Sequence, residues 1–244
     1  MKKIIAMLLA LTMVLALAAC GDKPQETTPG NDPVQQTNPV EDQGNDHVET
    51  EPQIQNPSKE ELTVEYLKSL PENPVGDFEY SLNWDEDGIV IESYNGSSDV
   101  VIIPAQIDGL PVKEIARYVF SNECAVRGVL IPDGVKEIGE VFGNNTGTEL
   151  VVAEGVEVIG YNSFNSCKAL KQVYLGDNLR SIEEISFSRC HQLEKLNIGP
   201  ALTEMSEDAK ATAFLACENL TIYGEAGSFI EGVANELGIP FVAE

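Results

Sequence analysis

From about residue 100 to the C-terminus, short alternating apolar segments recur with turn residues between them. In Val173-Tyr174-Leu175, the outer two residues share one face of a strand and Tyr174 takes the other. A turn of Pro, Gly and Asp follows each segment, as in Ile131-Pro132-Asp133-Gly134. An apolar pair such as Leu179 and Ile182 turns the chain back, and a phenylalanine closes the unit. The apolar position after the turn reads Ile115, Ile138, Ile159, Ile182 and Met205. The aromatic position reads Phe120, Phe142, Phe164, Phe187 and Phe214, in steps of 22, 22, 23 and 27. One such unit buries too little to fold alone, so the units must stack. The pattern predicts a mainly β member of the α/β class: a solenoid with a parallel sheet, short turns and helical pieces at its ends.

Two helices follow from the same reading. Over Ser58 to Leu70, Leu62, Tyr66, Leu67 and Leu70 share a face, Ser58 and Glu61 have capping-box spacing, and Pro71 stops the helix. Near the C-terminus, Ser228 and Glu231 repeat that spacing. Ile230, Val233, Ala234 and Leu237 make an apolar face, Gly238 suits the C′ position, and Ile239 to Val242 returns as a strand. This helix is expected to cover the open end of the stack.

The repeat I-P-x-x-[VL]-x-x-I-x-x-x-x-F-x-x-C-x-x-L resembles the BspA-like, or treponemal-type, leucine-rich repeats of bacterial surface proteins. The segment from Phe78-Glu79-Tyr80 through Gly88-Ile89-Val90-Ile91 to Tyr94-Asn95-Gly96 resembles that family's N-terminal lead-in. The resemblance covers about Phe78 to the C-terminus. It implies a right-handed leucine-rich repeat solenoid, and a role in adhesion and protein binding rather than catalysis. Two units depart from the pattern. Asn144-Asn145-Thr146-Gly147 stands where other units have the cysteine, and the fifth carries about four extra residues around Glu207 to Ala211. A local bulge is expected at both.

The N-terminal apolar run differs in kind. Lys2 and Lys3 precede Ile4 to Leu17, a run too short to span a bilayer and suited to a signal segment. Leu17-Ala18-Ala19-Cys20 resembles the bacterial lipobox, which implies cleavage before Cys20, acylation of its sulfur, and membrane attachment through that lipid. From Gly21 to about Pro57 the chain is Pro, Gln, Thr, Asn and acid, unable to bury a core. A flexible stretch of this length has an r.m.s. reach of roughly 30–36 Å. The expected organisation is a lipoprotein signal peptide over 1–19, the lipidated Cys20 and acidic tether over 20–57, a helix and linker over 58–76, and the solenoid with its lead-in and cap over 77–244. The expected location is the extracytoplasmic face of the cell envelope.

A formal net charge of −25 excludes phosphate neutralisation, so no nucleic acid is expected as partner. Cys124, Cys167, Cys190 and Cys217 follow the repeat phenylalanines at a common phase. They therefore form one column inside the coil, read as buried free thiols. A straight column lacks the converging directions that zinc needs, so no metal site and no cofactor are expected. His191 beside Cys190 reads as an exposed polar residue, and no nucleophile, phosphate or dinucleotide motif accompanies it. No catalytic residues are assigned.

The outward strand positions offer more. In register they read Ile102, Leu130, Val151, Tyr174 and Asn197, a row on the sheet face that either binds a ligand or lies under the Ser58–Leu70 helix. The sequence thus predicts a monomeric, surface-displayed interaction module that binds an extracellular protein or glycan. An envelope scaffold or nutrient-capture accessory is the alternative, and a hydrolase a distant third.

Overall fold

The computed structural model describes residues 62–122 and 124–244. The signal segment, Cys20, the tether and the Ser58–Glu61 pair lie outside the described residues. Helix α1 (Val64–Ser69) comes first. Thr63 caps it, its Oγ1 accepting from the Tyr66 N–H at 3.1 Å, and Leu70 leaves it in extended conformation ahead of Pro71.

The lead-in is an antiparallel hairpin of β1 (Phe78–Leu82) and β2 (Ile89–Tyr94). Then follow β3 (Val100–Ile102), β4 (Gln106–Ile107), β5 (Leu110–Ile115), β6 (Gly128–Leu130), β7 (Glu137–Ile138), β8 (Leu150–Ala153), β9 (Val158–Ile159), β10 (Gln172–Leu175), β11 (Ser181–Ile182) and β12 (Lys195–Asn197). The chain ends with α2 (Glu207–Thr212), β13 (Thr221–Gly224), α3 (Phe229–Leu237) and β14 (Phe241–Ala243). Among the described residues the sheets are three: β1-β2-β5-β4; the seven-stranded β14-β13-β12-β10-β8-β6-β3, parallel throughout; and the short β11-β9-β7. Each repeat thus supplies one strand to the long sheet, and three also supply a strand to the short one. The architecture is the predicted mainly β solenoid.

The inward row of the long sheet is Val101, Val129, Val151, Val173, Leu196 and Ile222, all buried. Behind it the repeat phenylalanines stack. Ring centroids lie 5.4 Å apart for Phe120–Phe142, 5.0 Å for Phe142–Phe164, 5.1 Å for Phe164–Phe187 and 5.9 Å for Phe187–Phe214. Phe78 and Tyr94 of the hairpin extend the series into the lead-in. Turn glycines let the coils approach: a Cβ on Gly176 would lie 2.2 Å from the Glu154 carbonyl oxygen of the preceding coil.

Both departures from the repeat keep the stack. Asn145 takes the cysteine position, wholly buried, and the expected bulge is absent there. The extra residues of the fifth unit fold as α2, where Ser206 Oγ caps the Ala209 N–H at 3.0 Å. In α3, Ile230, Val233 and Ala234 are buried as predicted, Leu237 of the same predicted face is exposed, and Gly238 ends the helix at φ 70°. The capping box is incomplete, however: Ser228 makes no side-chain cap bond, and Glu231 accepts from the Gly227 N–H instead.

Candidate functional site

The outer face of the long sheet carries two rows. One runs Val100, Gly128, Leu150, Gln172, Lys195, Thr221. The other runs Ile102, Leu130, Val152, Tyr174, Asn197, Tyr223, Val242. Ile102, Leu130, Tyr174 and Asn197 therefore share a row, as read from the sequence, but Val151 does not belong to it. Val151 pairs with Val129 and Val173 on the inward side and is buried in the core; Val152 holds the outward place. The error has a physical source. All of Leu150–Ala153 is apolar and buried, so no alternation marks which residue faces out. Tyr223 and Val242 extend the row beyond the predicted set; the alternation Thr221-Ile222-Tyr223 carried that signal.

The composition of the face changes halfway. Its first three strands present Val100, Ile102, Leu130, Leu150 and Val152, and α1 lies over them. Leu62 and Leu67 bury themselves in one cluster with these residues, flanked by Val64, Tyr66, Leu70 and, at its far border, Tyr174. Gly128 leaves the room: a Cβ there would stand 3.1 Å from a Leu62 methyl and 3.4 Å from a Leu67 methyl. Lys68 closes the edge of the cover, paired to Glu154 at 2.8 Å with its Nζ 5.8 Å from the centre of the Tyr174 ring. Ile102 and Leu130 thus lie in the covered half.

Beyond α1 the face turns polar: Gln172, Tyr174, Lys195, Asn197, Thr221 and Tyr223. Tyr174, Asn197 and Tyr223 are all half-buried, with Asp177, Glu225 and Glu244 around a shallow depression of about 440 Å³. Asn197 Nδ2 donates to Glu244 Oε2 at 3.0 Å. The open half therefore presents two tyrosine rings flanking an amide, in an acidic surround.

The four repeat cysteines are free thiols, but only Cys167 and Cys190 are buried as expected; Cys124 and Cys217 are partly exposed. Each of the last three reaches back one coil: Cys167 Sγ bonds the Phe142 carbonyl oxygen at 3.2 Å, Cys190 that of Phe164 at 3.0 Å, and Cys217 that of Phe187 at 3.0 Å. The neighbouring Cys167 thiol, reinforced by burial, holds the Cys190 thiol far above the ordinary thiol range, and Cys190 together with burial does the same to Cys217. A raised thiol favours the protonated form, so Cys190 and Cys217 are poorly suited to act as nucleophiles. The His191 imidazole pairs with Glu218 at 3.0 Å on the surface rather than with Cys190. Among the described residues, no group of three or more His, Cys, Asp or Glu converges as a metal site.

The stacked coils, parallel sheet and ring column define a leucine-rich-repeat solenoid. More particularly, residues 109–224 match the BspA type Leucine rich repeat region in six copies, and this stretch of the chain belongs to that family. Three solved structures are similar. The Leucine Rich Repeat protein of T. pallidum is 27% identical over 63% of this chain and 71% of its own, with a TM-score of 0.40. A leucine-rich repeat protein from Bacteroides capillosus is 23% identical over 63% of this chain and 98% of its own, with a TM-score of 0.41. A leucine rich cell surface protein from Faecalibacterium prausnitzii is 23% identical over 64% of this chain and 55% of its own, with a TM-score of 0.29. No curated protein matches the chain.

Proposed function

We propose that the chain is a surface lipoprotein, held to the membrane through an acylated Cys20, whose uncovered sheet face binds an extracellular protein or glycan without catalysing a reaction. The observation that carries the reading is the division of the sheet face. Among the described residues, an amphipathic helix covers the apolar half; Tyr174 lies at its border, packed in part against the covered cluster, and Asn197 and Tyr223 lie beyond the cover. Half-exposed tyrosines contribute large, rigid contact area at low entropic cost, and their rings suit both protein and sugar surfaces. The lipobox-like Leu17-Ala18-Ala19-Cys20 and the acidic stretch that follows it support display away from the lipid.

The test compares the wild-type protein with a Tyr174→Ala, Tyr223→Ala double variant on arrays of glycans and matrix proteins. Hits that vanish in the variant at an unchanged melting temperature support the reading. Hits that persist in full place recognition elsewhere.

A further inference from the structure

Among the described residues, strand β1 is the outermost strand of its sheet and pairs with β2 alone. Its residues after Phe78 are all exposed. Tyr80, Leu82 and Trp84 follow one another at alternate positions, 36%, 52% and 98% exposed, and Trp84 is the only tryptophan of the chain. Tyr80 and Leu82 lie within β1 and Trp84 in the turn just after it; large exposed apolar residues along an unpaired edge are the feature that folded proteins ordinarily suppress.

The tip that shows Trp84 is braced. Buried Asn83 accepts through Oδ1 from the Asp87 and Gly88 N–H groups, each at 3.0 Å, and donates through Nδ2 to Asp87 Oδ1 at 3.0 Å. Lys113 clamps Asp87 at 2.7 Å. Tyr80 is likewise fixed, its hydroxyl donating to Asp108 Oδ2 at 2.9 Å. A site already ordered loses less on binding.

The backbone valence is open as well. The Asn83 N–H donates to the Gly88 carbonyl at 2.9 Å, so these two form a bonded pair across the hairpin. Alternation along an antiparallel ladder then makes Ser81 and Val90 the next bonded pair and turns the N–H and C=O of Tyr80 and Leu82 away from β2. The edge of the seven-stranded sheet at β3 is treated differently. There Asn73 closes Ile102, accepting its N–H at 2.7 Å and donating to its carbonyl at 2.9 Å.

Charge selects the occupant. Residues 77–92 hold six acids (Asp77, Glu79, Asp85, Glu86, Asp87, Glu92) and no lysine or arginine, and of the six Asp87 is already paired, to Lys113. A second copy would set two such segments side by side, which like-charge repulsion opposes. We propose that the outer edge of β1, with Tyr80, Leu82 and Trp84, docks an extended segment of a partner protein in which apolar residues alternate with lysine or arginine. The segment adds a strand through main-chain hydrogen bonds, sets its apolar residues against those three side chains and its cations against the acids.

A short peptide of alternating lysine and valine, titrated into the full chain, tests this through the Trp84 emission. The expected result is a saturable blue shift, weakened by salt, with affinity falling about tenfold when alternate peptide amides are N-methylated, since one or two main-chain bonds are lost. Leu82→Lys, at unchanged melting temperature, is expected to abolish the shift, whereas the Tyr174→Ala, Tyr223→Ala variant of the sheet face keeps it. The proposal is overturned by any of four results: no shift, equal binding of the N-methylated peptide, equal binding of a glutamate–valine peptide, or peptide binding lost in the sheet-face variant. A dimer in sedimentation that Leu82→Lys dissolves makes a second copy the occupant and overturns it too.

Discussion

Asn145 donates through Nδ2 to the main-chain oxygen of Phe120, the bond that Cys167 makes to Phe142 one coil further on. The repeat therefore specifies a buried donor at this position more than a cysteine. The Phe142, Phe164 and Phe187 carbonyls already accept a main-chain N–H of their own coil, from Asn145 at 2.9 Å, Cys167 at 3.1 Å and Cys190 at 3.2 Å, so the side-chain donor of the next coil adds a second bond that ties neighbouring coils together. Sulfur does this weakly while packing as an apolar group. Asn145 does it strongly and also accepts from the Gly147 and Thr148 N–H groups at 2.9 and 2.7 Å, locking the loop that follows.

The two donors should differ in consequence. Asn145→Ala removes the donor to the Phe120 carbonyl and the acceptor of two N–H groups, that of Thr148 buried and that of Gly147 partly so, and is expected to cost about 2–4 kcal/mol. Cys167→Ala loses a weak donor and a small apolar volume, about 1–2 kcal/mol. Urea unfolding of both variants measures the difference. Equal costs would mean that the side-chain bond has no special role in this column.

The cover over the sheet face can be lifted from beneath. Gly128→Val places methyl groups where Leu62 and Leu67 sit, while the strand itself tolerates a β-branched residue. Release of α1 exposes Val100, Ile102, Leu150 and Val152. The expected signs are new binding of an apolar dye and a stability loss of about 3 kcal/mol, the worth of one or two buried leucines. Gly139→Val is the control, since nothing among the described residues lies within 4 Å of its Cβ position. A Gly128→Val protein that binds no dye and melts as wild type would show that α1 contributes little to this face.

The same cover explains what was and was not legible beforehand. The fold could be read because Phe142, Phe164 and Phe187 recur at steps of 22 and 23, and a ring in phase is a three-dimensional statement: all three are fully buried and stacked. The sheet face could be read only where one side of a strand meets water. Tyr174 stands between buried Val173 and Leu175 and announces itself. Val152 lies among four buried residues and does not. Tyr223 escaped because α2 lengthens the step between strands, moving the next outward residue off the repeat interval. The division of the face into covered and open halves was nevertheless written in the chain, as the change from Leu150 and Val152 to Gln172 and Tyr174 at matching positions.

A last prediction concerns acid. Glu149 sits between two cations at the same phase of neighbouring coils, 2.8 Å from Arg127 Nε and 2.8 Å from Lys171 Nζ. Partial burial pushes the Glu149 carboxyl upward, but hydrogen bonds from Arg127 and Lys171 outweigh it and hold the carboxyl below the ordinary glutamate range. A carboxyl lowered in the folded state stabilises the fold above its unfolded pKa, and that contribution disappears as pH falls through the folded one. The wild-type protein should therefore lose stability progressively as pH drops below the usual glutamate pKa. Glu149→Gln removes the titration and keeps the side-chain shape. It is expected to be less stable than wild type at neutral pH, by about 1 kcal/mol after allowance for solvent screening, and to converge with it in acid. Melting both proteins across an acid pH series decides the matter. Parallel curves with no convergence would show that this three-coil bridge does not couple protonation to folding.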